Sequence, residues 1–433
     1  MTPEITGLLG IIILLILIFL RVPVGFAMSF VGFAGFTYLV GFDAALGLLR
    51  NVPYTTVASY SLSVVPLFIL MGAFTFHAGL SQDLYATAQK WLGHLPGGLS
   101  MATVAGCAGF AAISGSSMAT AITMGNVALP EMKRYNYDPA LATGSIAAGG
   151  TIGILIPPSV TLVVYGIITE TSIGKLFLAG LIPGFLEAAF YIVTIYLVCT
   201  LKPNWGPRAP KVGLVEKLIS LKNTWAILLL FLLVIGGIYL GIFSPTEAGG
   251  VGAFGAFVFA LARRKLTWEK FKQSIIQTAG MTAMIFTILI GAYLLTYFMA
   301  VSRLPIELSE TIGSLQLNNY LLLVCMLFLY VILGCFLDVM AMIMLTIPIF
   351  FPLIESMGFS PIWFGILVVR IVEMGLITPP IGMNVYIIKS VAKDVPMETI
   401  FKGIVPFLIS DILHVALLVA FPAITLFLPN LMK

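Results

Sequence analysis

Read for polarity alone, the chain is a succession of long apolar runs separated by short polar gaps. About 20 apolar residues in a row make a membrane-crossing helix. Such runs fall at roughly residues 5–20, 24–41, 57–79, 140–168 and 176–200, and again at 223–243, 245–262, 274–300, 361–388 and 402–430. No stretch shows the dyad alternation of an outer-membrane strand. Two further runs, 99–130 and 319–352, are too long for one crossing and short for two, which suits re-entrant hairpins that leave on the side they entered. Proline removes a backbone donor and clashes with the preceding turn, so Pro157-Pro158 and Pro379-Pro380 predict unwinding over 154–161 and 376–384.

The first hairpin run carries a dense polar centre. Ser114, Ser116, Ser117, Thr120 and Thr123 lie around Gly115 in a stretch, 101–130, that holds no charge. An unsatisfied polar group in hydrocarbon costs several kcal/mol, so this cluster must face a cavity, another segment or a ligand. Two half-helices meeting within the membrane offer free backbone groups to an ion or substrate in that way.

The arrangement recurs half a chain later. With a shift of 222 residues, Ser116 falls on Asp338, Ala119 on Ala341, Gly153 on Gly375, and the pair 157-158 on 379-380. The same shift matches Pro23 with Pro245, Pro130 with Pro352 and Pro139 with Pro361. One residue of slippage then brings Gly180 onto Gly403 and Pro183 onto Pro406. This is an internal duplication, strongest over 116–183.

Composition agrees with a polytopic helical membrane protein: 60% of the 433 residues are hydrophobic and 9% charged, with a mean hydropathy of +1.09. The first twenty residues lack a basic n-region and a small-residue cleavage site, so they read as a retained span rather than a signal peptide. Five crossings per half make the repeats inverted. The chain then starts outside, and inner loops carry 17 of the 22 basic residues, against Arg50, Lys175, Arg303 and Lys433 outside and Arg370 within a span. Residues 1–200 form the first repeat, with 5–79 as scaffold and 99–200 as transport part. Residues 201–222, with three Pro and five basic residues, form a cytoplasmic linker that could also touch anionic lipid. Residues 223–433 form the second repeat, with 223–300 as scaffold and 319–430 as transport part. The fold class expected is therefore an all-α polytopic membrane protein of two inverted repeats, each with scaffold helices, a re-entrant hairpin and an interrupted helix.

Other chemistry recedes. Gly250-Val-Gly-Ala-Phe-Gly255 fits a dinucleotide fingerprint, but it lies inside a span with no strand before it, and small residues for close helix packing explain it better. Cys107, Cys199, Cys325 and Cys335 are dispersed in apolar surroundings, against a metal cluster or disulfide framework. His77, His94 and His414 show no triad spacing and are placed near span ends, so no enzyme is expected. Nothing points to nucleic acid or to a cofactor. The in-membrane charges are more informative. Asp338 is either a helix-capping carboxylate or a cation ligand. Arg370 and Glu373, one turn apart, can pair. Glu187 and Asp411 sit at near-equivalent places in the last span of each repeat, as helix–helix contacts or as part of a substrate path.

Unwinding at the two proline pairs frees carbonyls that, with the hydroxyls nearby, make an all-oxygen environment suited to a hard monovalent cation. The strings 113–120, 153–158 and 375–384 also resemble the large membrane subunit (DctM-like) of TRAP (tripartite ATP-independent periplasmic) transporters, and the resemblance covers essentially the whole chain. It implies an elevator-type, sodium-coupled uptake system for an organic acid, a C4-dicarboxylate or a sugar acid, in the bacterial inner membrane. It also implies two partners, a small four-helix membrane subunit and a periplasmic substrate-binding protein. Nothing precedes the first span, so the small subunit is expected as a separate chain. By motif position the resemblance places sodium at Ser114, Ser116, Gly153 and Pro157, and at Gly334, Asp338, Thr378 and Pro379. Ser117, Thr120, Pro158, Thr161, Pro380 and Asn384 are the candidate substrate contacts. The competing reading is a stand-alone transporter coupled to protons through Asp338.

Overall fold

The chain folds into helices joined by short connections; the computed structural model describes residues 1–314 and 317–432, and Lys433, counted above with the outer charges, lies outside them. The first half contains α1 (Pro3–Phe19), α2 (Val24–Val40), α3 (Phe42–Val57), α4 (Val64–His77) and α5 (Leu80–Leu92). It continues with α6 (Gly98–Ser114), α7 (Ser117–Arg134), α8 (Pro139–Leu155), α9 (Val160–Ile168) and α10 (Ile173–Leu201). The second half contains α11 (Leu214–Tyr239), α12 (Pro245–Ala262), α13 (Trp268–Ser302), α14 (Leu304–Ser314) and α15 (Asn319–Gly334). It ends with α16 (Val339–Ser356), α17 (Pro361–Gly375), α18 (Met383–Val391), α19 (Met397–Ala420) and α20 (Ala423–Leu431).

The duplication is visible in the helices themselves. α7 and α16 are both 18 residues long and are offset by 222 at each end. α8 and α17 each begin with proline, where the missing N–H has no helical partner to lose. The halves also exchange partners: α2 packs along α13, and its counterpart α12 packs along α4, the counterpart of the second part of α13. In the same way α18 packs on α7 while α9 packs on α16. Glycines allow the closest of these approaches. A Cβ on Gly32 of α2 would stand 2.6 Å from the backbone nitrogen of Leu295 in α13. The Gly-x-Gly-x-x-Gly string is packing surface at two of its three glycines: Gly252 lies against Met71 and Val234, and Gly255 against Leu230, whereas nothing stands within 4 Å of a Cβ on Gly250.

The two polar-centred runs are helical hairpins whose feet lie together. Leu99 N donates to Tyr137 Oη at 3.0 Å, and Asn319 Nδ2 donates to Met357 O at 3.3 Å. The first proline pair breaks its helix as expected, with a 43° bend between α8 and α9.

Three helices, α3, α5 and α14, lie outside the predicted spans, and a fourth, α20, splits one of them. α3 holds Asp43, Arg50, Asn51 and Pro53, too polar to count as a crossing, yet it buries Ala45, Val52 and Thr56 on one face. α5 is likewise amphipathic and packs on α6 and α11. α14 is too short to span. The run 402–430 predicts a single span, but the chain breaks at Phe421-Pro422, and α20 packs on α10. The span 57–79 is α-helical only over Val64–His77. The linker 201–222 is irregular only in part, because α11 begins at Leu214 and its first turns lie on α5 through Thr87 Oγ1 to Ser220 O at 3.0 Å and Trp91 Nε1 to Lys217 O at 3.3 Å.

Candidate functional site: two hairpin tips against two broken helices

The tip of the first hairpin turns at Gly115, whose φ of 58° lies in the left-handed region open to glycine. A Cβ there would also stand 2.6 Å from Pro158 O, so the tip rests directly on the break between α8 and α9. Ser116 is extended and caps α7, its Oγ accepting from Ala119 N at 3.4 Å. Thr120 Oγ1 donates to Ser116 O at 2.8 Å and lies 3.0 Å from Ser114 Oγ. Gly153 closes on the same group: a Cβ would fall 2.7 Å from Thr120 Oγ1 and 2.8 Å from Ser116 O. Pro157 and Pro158 carry no N–H, which leaves Gly153 O and Ile154 O without their usual helical donors. Ser114, Ser116, Gly153 and Pro157 are thus brought together, with Thr120, into one oxygen-rich knot. Thr161 lies in the first turn of α9, buried.

The second hairpin reproduces the arrangement with different chemistry. Its α15 ends at Gly334, which meets Gly375 of α17 closely; a Cβ on Gly334 would stand 2.9 Å from Gly375 Cα. Asp338 occupies the place of Ser116 and caps α16, with Oδ1 accepting from Met340 N at 2.9 Å and Ala341 N at 3.1 Å. The break carries Thr378, which donates to Met374 O at 2.6 Å. Pro379 O accepts from Cys335 Sγ at 3.3 Å.

The two halves meet through Asn384. Its Nδ2 donates to Ser117 Oγ at 2.8 Å and to Ala147 O at 3.3 Å, so a residue after the second break reaches the first hairpin tip. The breaks differ in exposure. Residues 153–161 are buried throughout, enclosed by the hairpin and by α10, whereas Pro379 and Pro380 are exposed. The freed carbonyls differ too: Gly375 O accepts from Thr378 N at 3.2 Å and Leu376 O from Asn384 N at 3.0 Å.

The sequence matches the family described as Tripartite ATP-independent periplasmic transporter, DctM component, over residues 11–424. This chain belongs to that family. It is 36% identical to the C4-dicarboxylate TRAP transporter large permease protein DctM of Pseudomonas aeruginosa over 378 residues, 87% of this chain and 88% of that one. It is 32% identical to the sialic acid TRAP transporter large permease protein SiaM of Vibrio cholerae serotype O1, with 96% of each chain covered. Among solved structures it shares its fold with the Alcanivorax borkumensis YdaH transporter, described as having an unusual topology. The TM-score is 0.64 at 15% identity, covering 89% of this chain and 90% of that one.

In this DctM-family chain the in-membrane charges form a group that the sequence showed only in part. Arg370 and Glu373 do lie together, with NH1 3.5 Å from Glu373 Oε2. The same NH1 is 3.4 Å from Glu187 Oε1, NH2 pairs with Asp411, and Nε donates to His414 Nδ1 at 3.0 Å. His414, placed by its sequence position near a span end, is instead buried one turn after Asp411 within α19. The matched positions of Glu187 and Asp411 were the signal that could have joined them. At the basic end of the molecule, Lys133 pairs with Asp394 at 2.8 Å and holds its carboxyl below the usual carboxylate range.

Proposed function

We propose that this chain is the membrane permease of a sodium-coupled uptake system for an organic carboxylate, working as an elevator in a bacterial inner membrane. The observation that carries the reading is the pair of hairpin tips set against two broken helices, linked across the halves by Asn384 and Ser117, in a chain of the DctM family. The neutral oxygens at the first tip (Ser114, Ser116, Thr120 and the freed carbonyls of Gly153 and Ile154) suit sodium, a hard cation that needs no carboxylate. Asp338 supplies one negative oxygen at the second. The substrate contacts would be Ser117, Thr120, Pro158, Thr161, Pro380 and Asn384. A C4-dicarboxylate or a sugar acid is the substrate class, by analogy with the relatives. In this reading α6–α10 and α15–α19 move against a scaffold of α1–α4 and α11–α13.

The energetics are sufficient. With two sodium ions a singly charged sugar acid moves net charge +1, which gains about 2.3 kcal/mol per 100 mV, and a doubly charged C4-dicarboxylate needs a third sodium ion for the same gain. A tenfold sodium gradient adds about 1.4 kcal/mol per ion. Their sum, roughly 5 kcal/mol, supports on the order of a several-thousandfold accumulation. The partners are a small helical membrane subunit and a periplasmic binding protein that delivers scarce substrate.

The test is uptake in proteoliposomes containing this chain with the small subunit. Uptake is expected to be electrogenic, driven by a sodium gradient, and absent until binding protein is added outside. Robust uptake by this polypeptide alone, driven by a pH gradient in sodium-free buffer, overturns the reading.

A further inference from the structure

The group around Arg370 is outside the sodium and substrate positions assigned above, and its charges do not balance. Four helices contribute: α8 gives Thr151, α10 gives Glu187 and Tyr191, α17 gives Arg370 and Glu373, and α19 gives Asp411 and His414. The side chains of Arg370, Glu187, Glu373, Asp411 and His414 are all 0% exposed. Three carboxylates therefore surround one guanidinium. His414 Nδ1 accepts from Arg370 Nε, so that nitrogen carries no proton and the imidazole adds no positive charge. With every carboxyl ionised the group would hold a net charge of −2 in a sealed, low-dielectric interior. Burial of an uncompensated charge costs several kcal/mol per ion even after relaxation.

The hydrogen bonding shows where compensation is missing. Asp411 is paired directly with Arg370 NH2, and Glu187 Oε1 accepts from Thr151 Oγ1 at 3.3 Å. No well-aligned hydrogen bond reaches either carboxyl oxygen of Glu373, which meets the Leu155 backbone, and none reaches Glu187 Oε2, Asp411 Oδ2 or His414 Nε2. Both glutamates point at the same NH1 from beyond hydrogen-bonding geometry. A metal ion does not fit: among the described residues no three His, Cys, Asp or Glu side chains converge where one could sit. A proton needs no such convergence, and it removes charge where partners are lacking.

We propose that Glu187 and Glu373 form a proton-binding site shared between the two repeats, holding at least one proton between them while Asp411 stays ionised against Arg370. The site joins α10 of the first half to α17 and α19 of the second. Its proton is what lets four charged side chains close the contact between halves. Alkaline conditions that strip the proton place a further negative charge in the sealed group, and the folded protein loses stability on that side.

The test reads the proton without reading transport, so it stands or falls separately from the sodium mechanism. Infrared spectra of the purified protein at neutral pH, with and without glutamate carrying carboxyl carbon-13, report protonated glutamate alone and leave Asp338 and Asp411 unshifted. Glu187 and Glu373 are the buried glutamates among the described residues. The expected result is an isotope-shifted carboxylic-acid C=O band that resists hydrogen–deuterium exchange and is lost in the Glu187→Gln/Glu373→Gln double variant. Thermal unfolding of Glu373→Gln is expected to fall less steeply than wild type as pH is raised. Absence of a glutamate acid band in the wild type, or its persistence in the double variant, overturns the proposal. The wild-type spectrum decides alone if the double variant does not fold.

Discussion

Asn384 Nδ2, from the second half of the chain, hydrogen-bonds to Ser117 Oγ at the tip of the first hairpin at 2.8 Å. Ser117 Oγ also lies 3.0 Å from Asn384 Oδ1, but the pair related by the internal duplication cannot form the same side-chain bond. With the one-residue slippage, Thr161 is the counterpart of Asn384, but the counterpart of Ser117 is Val339, whose side chain offers no polar atom. A two-fold design thus becomes one-sided at its centre. Asn384→Ala leaves Ser117 Oγ and Ala147 O without this partner in a buried place, at a cost of about 1–3 kcal/mol for a lost buried partner. We expect a lower thermal midpoint and a larger loss of uptake than Ser117→Ala gives. Equal uptake by Asn384→Ala and wild type would remove Asn384 from the site.

Gly153 is closed to any side chain. A Cβ would stand 2.7 Å from Thr120 Oγ1 and 2.8 Å from Ser116 O, inside the distance real Cβ atoms keep. Gly153→Ala therefore pushes the hairpin tip off the break and separates the oxygens gathered there. Sodium-dependent uptake is expected to fall at least tenfold, which corresponds to about 1.4 kcal/mol of lost ion binding. Gly280→Ala, in α13 with nothing within 4 Å, is the control and should behave as wild type.

Asp338 separates capping from charge. Its Oδ1 accepts from two backbone N–H groups, and asparagine caps about as well as aspartate. Asp338→Asn should keep the thermal midpoint near wild type while raising the sodium concentration needed for half-maximal uptake. Asp338→Ala should in addition lose stability, by about 0.5–2 kcal/mol for a lost N-cap. Unchanged sodium dependence in Asp338→Asn would leave the carboxylate as a cap and nothing more.

The pair Lys133–Asp394 ties the foot of the first hairpin to the loop between α18 and α19. Because Lys133 lowers the Asp394 carboxyl, its contribution is present above the unfolded-state value and is lost as pH falls through the folded-state value. Both side chains are more than half solvent-exposed or close to it, at 50% and 66%, so salt screens the pair. Asp394→Asn is expected to change thermal stability little at neutral pH and to remove part of its decline on acidification at low salt. Identical acid profiles for the variant and wild type would show that the pair contributes nothing.

How far the sequence could be read follows from what each element needed. The proline pairs, the hairpin hydroxyls and the shift of 222 named α6–α9 and α15–α18 because proline and buried hydroxyls act locally, through the backbone they interrupt or cap. α3 and α5 escaped because an amphipathic helix beside a bundle carries too many polar residues to pass as a crossing. Asn384 was legible as a candidate, but its partner Ser117 lies 267 residues away, a pairing that only packing can specify. The charge group shows the same limit. Arg370 and Glu373 are one turn apart and visible as a pair, whereas Glu187, Asp411 and His414 join them only because α10 and α19 lie against α17.

Segments that the charge pattern assigns to one side lie together in the folded molecule. Gly93 O accepts from Ala209 N at 2.9 Å, Gly97 N donates to Gly206 O at 2.9 Å, and Asp138 N donates to Trp205 O at 3.0 Å, all between segments placed inside. Arg263 pairs with Asp83 at the same end. A surface cavity of about 710 Å³ at the other end is lined by Ser59, Glu170, Ser172, Gly241 and Ser244, from connections all placed outside. The first hairpin has its feet at Leu99 and Tyr137, beside the Asp138–Trp205 contact. The second, by contrast, has its feet at Asn319 and Met357, near Pro361, whose O accepts at 2.7 Å from Tyr165 Oη, one turn before Thr169 and the connection that lines the cavity. An inverted repeat demands that opposition, because five crossings per half turn the second copy over. In a Cys325→Ser background, which removes the exposed native thiol, Lys133→Cys should react with a membrane-impermeant maleimide only from the cytoplasmic side. Glu355→Cys should react only from the outside. Labelling of both from one side would mean that the hairpins enter from the same face, and the opposed pair of ion-binding tips would have to be abandoned.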